Sequence, residues 1–261
     1  MEPEALSRLP VPAHRYYASV TSTNDLALAW AASGAPDGAL VVADTQTAGR
    51  GRMSRRWITP PGSALAFSLV LRPTAQELAK PALFSPLGGL ALSIALESRF
   101  NLHPAIKWPN DVLLDGRKTA GVLAESTWQN GKPQAIILGI GVNVGLASAP
   151  PADQVQFPAT CIEAAAGKPV DRFDLLAALL TALFTWREQL PTPAFLQAWE
   201  KRLAFVGEQV QLIQPDQQTI TGRLTGITPQ GGLCLTLPDG TQTSFAAGDV
   251  TLRRIGKNPV Q

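Results

Sequence analysis

The chain is poor in the residues from which metal centres, disulfide frameworks and nucleophilic triads are built. Its 261 residues include two cysteines, two histidines and two methionines. Cys161 and Cys234 form no paired-ligand spacing of the kind zinc requires, and two thiols without a disulfide framework fit a reducing cytosol. His14 and His103 stand alone, so each reads as a surface or loop residue rather than a catalytic base. An excess of one charge is missing too: 22 basic residues oppose 20 acidic ones, a net charge of +2, which argues against a general nucleic-acid-binding surface. The N-terminus, Met1-Glu-Pro-Glu-Ala-Leu-Ser7, has neither the basic nor the apolar segment of a signal peptide. No apolar run is read as reaching the roughly 18 residues of a membrane span, so the expected location is the cytoplasm with no membrane partner. Gly49-Arg-Gly51 is not a Walker loop, and Ser54 breaks a Rossmann fingerprint there. Internal repeats, low-complexity segments and a Gly-x-Ser-x-Gly elbow are likewise missing.

What the chain does carry is a local concentration of positive charge. Gln46-Thr-Ala-Gly-Arg-Gly-Arg-Met-Ser-Arg-Arg-Trp57 holds Arg50, Arg52, Arg55 and Arg56 beside two glycines. Glycine lets backbone approach a ligand closely, and the arginine fork suits carboxylate and phosphate. The stretch reads as a mobile anion-binding loop; a solvated basic loop or a nucleic-acid patch is the competing reading. Before it, Ser22 and Asp25 have the spacing of a capping box that opens a helix from Leu26 to about Ala32. Gly34 is its stop signal.

Ala39–Ala43 and Ser63–Leu71 read as buried strands, and Leu83–Phe100 as a helix with Leu87, Leu90, Ala91, Ile94 and Ala95 on one apolar face. Its Gly88-Gly89 pair suggests close packing. Ala105–Glu125 reads as a strand broken at Pro109-Asn110, resumed over Val112–Leu114, turned at Asp115-Gly116 and returned from Lys118. Asn130-Gly131 gives another turn, and Gln134–Val144 another strand whose Gly139 and Gly141 indicate close backbone approach. A proline-containing loop over 146–158 precedes a short helix at Thr160–Ala166. Helices follow over Asp171–Leu190 and Pro193–Phe205, the first with a stripe of Leu175, Leu176, Leu179, Leu180, Leu183 and Phe184. From Gly207 the pattern changes to short strands, Val210–Ile213, Ile220–Ile227, Leu233–Leu237 and Thr241–Phe245, separated by turn signals such as Pro238-Asp-Gly240. This reads as a small β-barrel of about 50 residues.

By elimination the chemistry rests on Arg50, Arg52, Lys107 and Lys118, with Asn110, Asp111 and Asn143 nearby in the motifs. Such a site needs no protein nucleophile. It suits a reaction between two anions, such as a carboxylate attacking an ATP phosphate, with fixed cations lowering their repulsion. Asp111 is a candidate ligand for Mg²⁺. Each of these residues alone also has a plain structural reading, as strand-edge lysine or turn aspartate.

Five segments, Ser22-Thr-Asn24, Gln46 with Ala48-Gly-Arg-Gly-Arg52, Lys107-Trp-Pro-Asn-Asp111, Arg117-Lys118 with Ala120-Gly121, and Gly139-Ile-Gly-Val-Asn143, resemble in order and spacing those of biotin–protein ligases. The resemblance runs from about Tyr16 to Arg254. It implies an α+β fold: a mixed β-sheet flanked by helices over 1–206, then an SH3-like barrel over 207–256, with 257–261 a tail. It implies that biotin and ATP give biotinyl-5′-AMP and pyrophosphate, and that biotin then passes to a lysine of a biotin carboxyl carrier protein. By position, Ser22, Thr23, Asn24, Gln46, Arg50, Gly51, Arg52 and Lys118 resemble the biotin contacts, and Gly121 and Gly139 the close-approach backbone. Lys118 would hold the biotin carboxylate and, with Arg50 and Arg52, make up the catalytic set. Trp57 resembles the tryptophan that packs on adenine. Lys107, Asn110, Asp111 and Asn143 fall on the ATP side, Asp111 with Mg²⁺. The family often carries glycine where Ser54 stands. Only 21 residues precede Ser22, so the expectation is a monofunctional ligase, monomer or homodimer, without the DNA-binding domain of repressor-type members. A lipoate or octanoate ligase or transferase is the nearest alternative.

Overall fold

The structure, a computed structural model, describes residues 3–129, 132–190, 192–214, 216–246 and 251–255. The expected turn at Asn130-Gly131 and tail at 257–261 lie outside the described residues. After a 3-10 turn at Pro3–Arg8, the elements run β1 His14–Val20, α1 Thr23–Ala32, β2 Ala39–Gln46, β3 Ala64–Leu71, α2 Ala75–Leu78, α3 Phe84–Phe100, β4 Ala105–Lys107, β5 Asp111–Leu114, β6 Arg117–Gln129 and β7 Lys132–Asn143. Then come α4 Ile162–Ala166, α5 Arg172–Glu188, α6 Pro193–Glu200, β8 Gln209–Ile213, β9 Thr219–Ile227, β10 Leu233–Thr236, β11 Gln242–Phe245 and β12 Thr251–Arg254.

Among the described residues the first seven strands form one sheet in the order β1-β2-β3-β7-β6-β5-β4. β1 and β2 pair parallel and the other neighbours antiparallel, so the sheet is mixed, as expected. The period of two along a strand sends alternate side chains to opposite faces. Leu40 and Val42 of β2 join the main core with α3 and α5, whereas Ala39 and Val41 pack with Ala27 and Ala31 of α1. Helices therefore cover both faces, and β3 is buried at every position.

α3 departs from the single apolar face expected of it. Phe84, Leu92 and Leu96 are buried along with Leu87, Leu90 and Ala91, because the helix lies between the sheet and α5. The same burial corrects the reading of apolar runs. Pro81–Phe100 is long and apolar enough to cross a membrane by length and composition, but 67% of its apolar window is buried inside the fold. Gly88 permits the close packing: a Cβ there would stand 2.9 Å from Val122 and 3.0 Å from Ile140.

Three local readings also change. Ser22 is the N-cap of α1 but makes no side-chain cap bond, so the capping box with Asp25 does not form. β4 and β5 are antiparallel partners, with Lys107 opposite Asp111, so the chain reverses at 108–110 rather than interrupting one strand. α6 ends at Glu200, short of Phe205. The Asp115-Gly116 turn is as expected, with φ of 50° and 70°.

The second sheet is antiparallel, β11-β10-β9-β8-β12. β12 went unread because Thr251-Leu-Arg-Arg254 is short and basic; it pairs with β8 and buries Leu252. Val210, Leu212, Leu224, Leu233 and Leu235 continue the main core. Fully buried Trp108 donates its indole N–H to the Gly231 carbonyl oxygen at 3.0 Å, and so ties the β4–β5 reversal to the barrel.

Candidate active site

Every site residue singled out from the sequence lines one cavity of about 460 Å³ on the sheet. Sheet order divides its lining. Thr23 and Asn24, at the start of α1, lie over β3 and β7. Lys118 and Gly121 stand on β6, and Asp111 and Lys107 on β5 and β4.

The end over β3 and β7 is a chain of polar contacts. Thr23 N–H donates to Gln46 Oε1 at 2.8 Å, and Gln46 Nε2 donates to Thr59 Oγ1 at 3.2 Å. Ser68 Oγ, buried on β3, is 2.8 Å from Thr23 Oγ1 and 2.6 Å from Asn24 Oδ1. Ser22 is buried as well. Gly139 serves this cluster in an unforeseen way: a Cβ there would meet Asn24 Oδ1 at 2.0 Å, so the group approaching its backbone is Asn24.

The opposite end is cationic. Asp111 accepts from Lys118 Nζ at 2.6 Å on Oδ1 and from Lys107 Nζ at 3.3 Å on Oδ2. Burial disfavours the charged carboxylate, but Lys118 and then Lys107 outweigh it and hold the Asp111 carboxyl below its ordinary range. Burial pushes the Lys107 ammonium down; Asp111 offsets part of this and the neighbouring Lys118 adds to it. Lys107 Nζ also lies 5.0 Å from the Phe157 ring centroid. One carboxylate between two ammoniums leaves a net positive site.

Asn110 accepts from Arg52 at 3.1 Å and donates to the Val122 carbonyl oxygen at 3.0 Å. Asn143 donates to the Thr160 carbonyl oxygen at 3.0 Å, which closes the far side of the cavity with the loop after β7.

The arginine stretch is a compact excursion. Trp57 N–H donates to the Gly49 carbonyl oxygen at 2.8 Å, and Gly51 N–H to that of Arg55 at 2.7 Å. A Cβ at Gly49 would collide with the Trp57 carbonyl oxygen at 2.4 Å. At its tip Met53 and Ser54 take φ of 56° and 59°, the left-handed region that glycine favours. The Trp57 indole lies against Gly141, where a Cβ would stand 2.3 Å from the ring, and its buried N–H has no hydrogen-bond partner among the described residues. Lys118 Nζ lies 5.7 Å from the same ring's centroid.

The Arg50 guanidinium is engaged away from the cationic end. It donates to both oxygens of Glu125 at 2.8 Å and contacts Asp25 at 2.7 Å. Burial opposes its charge, but Glu125 and Asp25 hold it more firmly protonated than usual. Glu125 and Ser68, which bond lining residues from behind, were not singled out as site residues, Asp25 was read only as a cap, and Phe157, Leu252 and Arg253, which line the cavity, were not foreseen. Their signals were absent locally: each is an ordinary helix, strand or loop residue that only the tertiary fold brings there.

The expected Mg²⁺ role of Asp111 does not fit this donor set. Both its oxygens are held by ammoniums, and no group of three His, Cys, Asp or Glu able to hold a metal occurs among the described residues.

The family model described as the biotin/lipoate A/B protein ligase family matches residues 16–143, and that of the biotin protein ligase C-terminal domain matches 205–253. The biotin–[acetyl-CoA-carboxylase] ligase of Paracoccus denitrificans is 40% identical over 238 residues, covering 88% of this chain and 97% of the relative. The bifunctional ligase/repressor BirA of Bacillus subtilis is 33% identical over 235 residues, covering 89% and 72%. The solved biotin protein ligase from Aquifex aeolicus, in complex with biotin and ATP, aligns with a TM-score of 0.79 at 30% identity, covering 93% of this chain and 99% of that one.

Proposed function

The chain belongs to the biotin protein ligases of the biotin/lipoate A/B protein ligase family, and we propose that this cavity serves both steps of ATP-dependent biotin ligation. In the first, a biotin carboxylate oxygen attacks the α-phosphorus of ATP, the bond to the β-phosphate breaks, and pyrophosphate leaves. In the second, the amine of a lysine on a biotin carboxyl carrier protein attacks the acyl carbon of biotinyl-5′-AMP. AMP departs, the amine gives up a proton, and an amide remains.

The observation carrying this reading is the division of one cavity into a hydrogen-bonding end and a cationic end. Adjacent strands lie about 4.8 Å apart, so β3 to β6 spans about 10 Å. That suits an elongated acid with a polar ring at one end and a carboxylate at the other. Thr23, Asn24 and Gln46 would face the ring; Lys118 would hold the carboxylate where the α-phosphate arrives. Lys107 and Arg52 would face the phosphates, with Asn110 and Asn143 beside them, and Trp57 would pack against adenine. Fixed cations offset the repulsion between the two anions without reorganising. Any Mg²⁺ would arrive with ATP and be held by the nucleotide rather than by Asp111. We place the boundary between the catalytic unit and the barrel at 206/207.

The test is biotin- and ATP-dependent mass gain on a carrier domain from the same cell, alongside pyrophosphate release with biotin, lipoate or octanoate. Release with lipoate or octanoate alone would reject the reading.

A further inference from the structure

We propose that Glu125 is a positioning residue that sets the polarity of the biotin end of the cavity through Asn24 and anchors the arginine loop over it through Arg50; in its kinetic part this rests on the function proposed above. Glu125 stands on β6, its side chain 26% exposed. Besides both nitrogens of the Arg50 fork, it accepts Asn24 Nδ2 at 2.7 Å. One carboxylate thus binds a residue of the loop and a residue of the α1 start, which are also joined through Arg50 and Asp25 at 2.7 Å and through Thr23 and Gln46.

An ionised carboxylate can only accept. Asn24 must therefore turn its NH₂ to Glu125, which leaves its carbonyl oxygen facing Ser68. That oxygen can only accept, so it takes the single Ser68 hydroxyl proton across 2.6 Å. Ser68 then has no proton for Thr23 Oγ1, 2.8 Å away, and meets it as an acceptor. The Thr23 hydroxyl proton is directed inward to Ser68 or to Gln46 Oε1, at 3.1 Å, and its lone pairs remain for the cavity. The choice made at Glu125 thus reaches the groups that line the pocket. Gly139 leaves the room in which Asn24 is so held.

Glu125→Gln keeps the shape but offers one acceptor and an NH₂ that opposes both Arg50 and Asn24. Hydrogen bonds to charged groups are strong enough that biotin KM should rise about tenfold or more, with ATP KM changed less than about twofold. A second readout is independent of activity. The loop carries Arg50, Arg52, Arg55 and Arg56, all tryptic sites, and loss of the anchor should speed its cleavage in the ligand-free protein by about tenfold. Arg50→Lys, which keeps the charge and loses the fork, should speed cleavage similarly and add little in the Glu125→Gln background. Glu125→Asp should recover part of both effects. Wild-type biotin KM and wild-type cleavage in Glu125→Gln would overturn the proposal, as would equal rises in both KM values with additive cleavage effects. If the parent enzyme proved not to use biotin, the functional reading would fall, and the cleavage series would still decide whether Glu125 anchors the loop.

Discussion

Lys118 Nζ lies 2.6 Å from Asp111 Oδ1, and that carboxylate's other oxygen faces the ammonium of Lys107. The lysine proposed to hold the biotin carboxylate is therefore oriented by a carboxylate already in the protein, at the junction of β5 and β6. Lys118→Ala should lower biotin-dependent pyrophosphate release by about two to three orders of magnitude, the usual effect of removing one preorganised donor. The fold should survive, since the Lys118 side chain is 27% exposed. Wild-type release by the variant would remove Lys118 from the reaction.

The buried triad also predicts pH behaviour. Lys107 is lowered from 10.5, chiefly by burial, so the cationic site should lose a charge at a pH below that value. Adenylate formation should fall on this alkaline limb, and Lys107→Arg, which stays charged, should move the limb upward. Between the lowered folded pKa of Lys107 and 10.5 the unfolded chain binds more protons, so stability rises with pH there. Asp111 is lowered from 3.8, so its contribution is complete above 3.8 and is lost as pH falls through the folded value. Urea titrations across both windows, with Asp111→Asn as the control, measure these slopes. A Lys107→Arg limb that coincides with wild type would assign the limb to another group.

Much of this was legible in the sequence, and the limits are physical. Motif spacing located Lys107, Asp111, Lys118 and the glycines of β7 because each motif folds into one strand or turn whose local geometry its own residues set. Sequence could not show that Arg50 turns to Glu125, 75 positions away, nor that Gly139 makes room for Asn24. Those are long-range pairings across strands. The reversal at 108–110 was missed because a tight turn without glycine reads as an interruption. β12 was missed because a short edge strand carries too few apolar residues for a period to show.

Ser54 stands where the family resemblance leads to the expectation of glycine, and its φ of 59° gives the reason glycine suits the position. The left-handed conformation costs a non-glycine residue about 1–2 kcal/mol. Ser54→Gly should relieve this in the ordered loop and tighten biotin binding by a few-fold. Ser54→Val, whose β-branch tolerates the region worse, should weaken it by about tenfold. Calorimetric titration of both variants measures the difference. Equal affinities for the two would show that biotin binding does not change the population of this conformation.

Gly141 and Trp57 offer the most direct test of the nucleotide side. A Cβ at position 141 would stand 2.3 Å from the indole, and no side chain tolerates that approach. Gly141 is not among the residues at positive φ, so Gly141→Ala changes space and little else. The alanine must push the Trp57 ring off the sheet. If Trp57 packs against adenine as proposed, ATP KM should rise about tenfold, since stacking on an aromatic ring is worth about 1–3 kcal/mol. Biotin KM should change less, because Asn24 packs at Gly139, two residues away along β7, and Thr23 against Ser68 on β3. Displacing a ring whose N–H is buried should also red-shift its emission and open it to acrylamide. The chain has six tryptophans, so the shift is assigned by repeating it with Trp57→Phe, where it should vanish. Unchanged emission and unchanged ATP KM in Gly141→Ala would mean that the indole does not lie on this glycine in solution, and the nucleotide site would have to be sought elsewhere in the cavity.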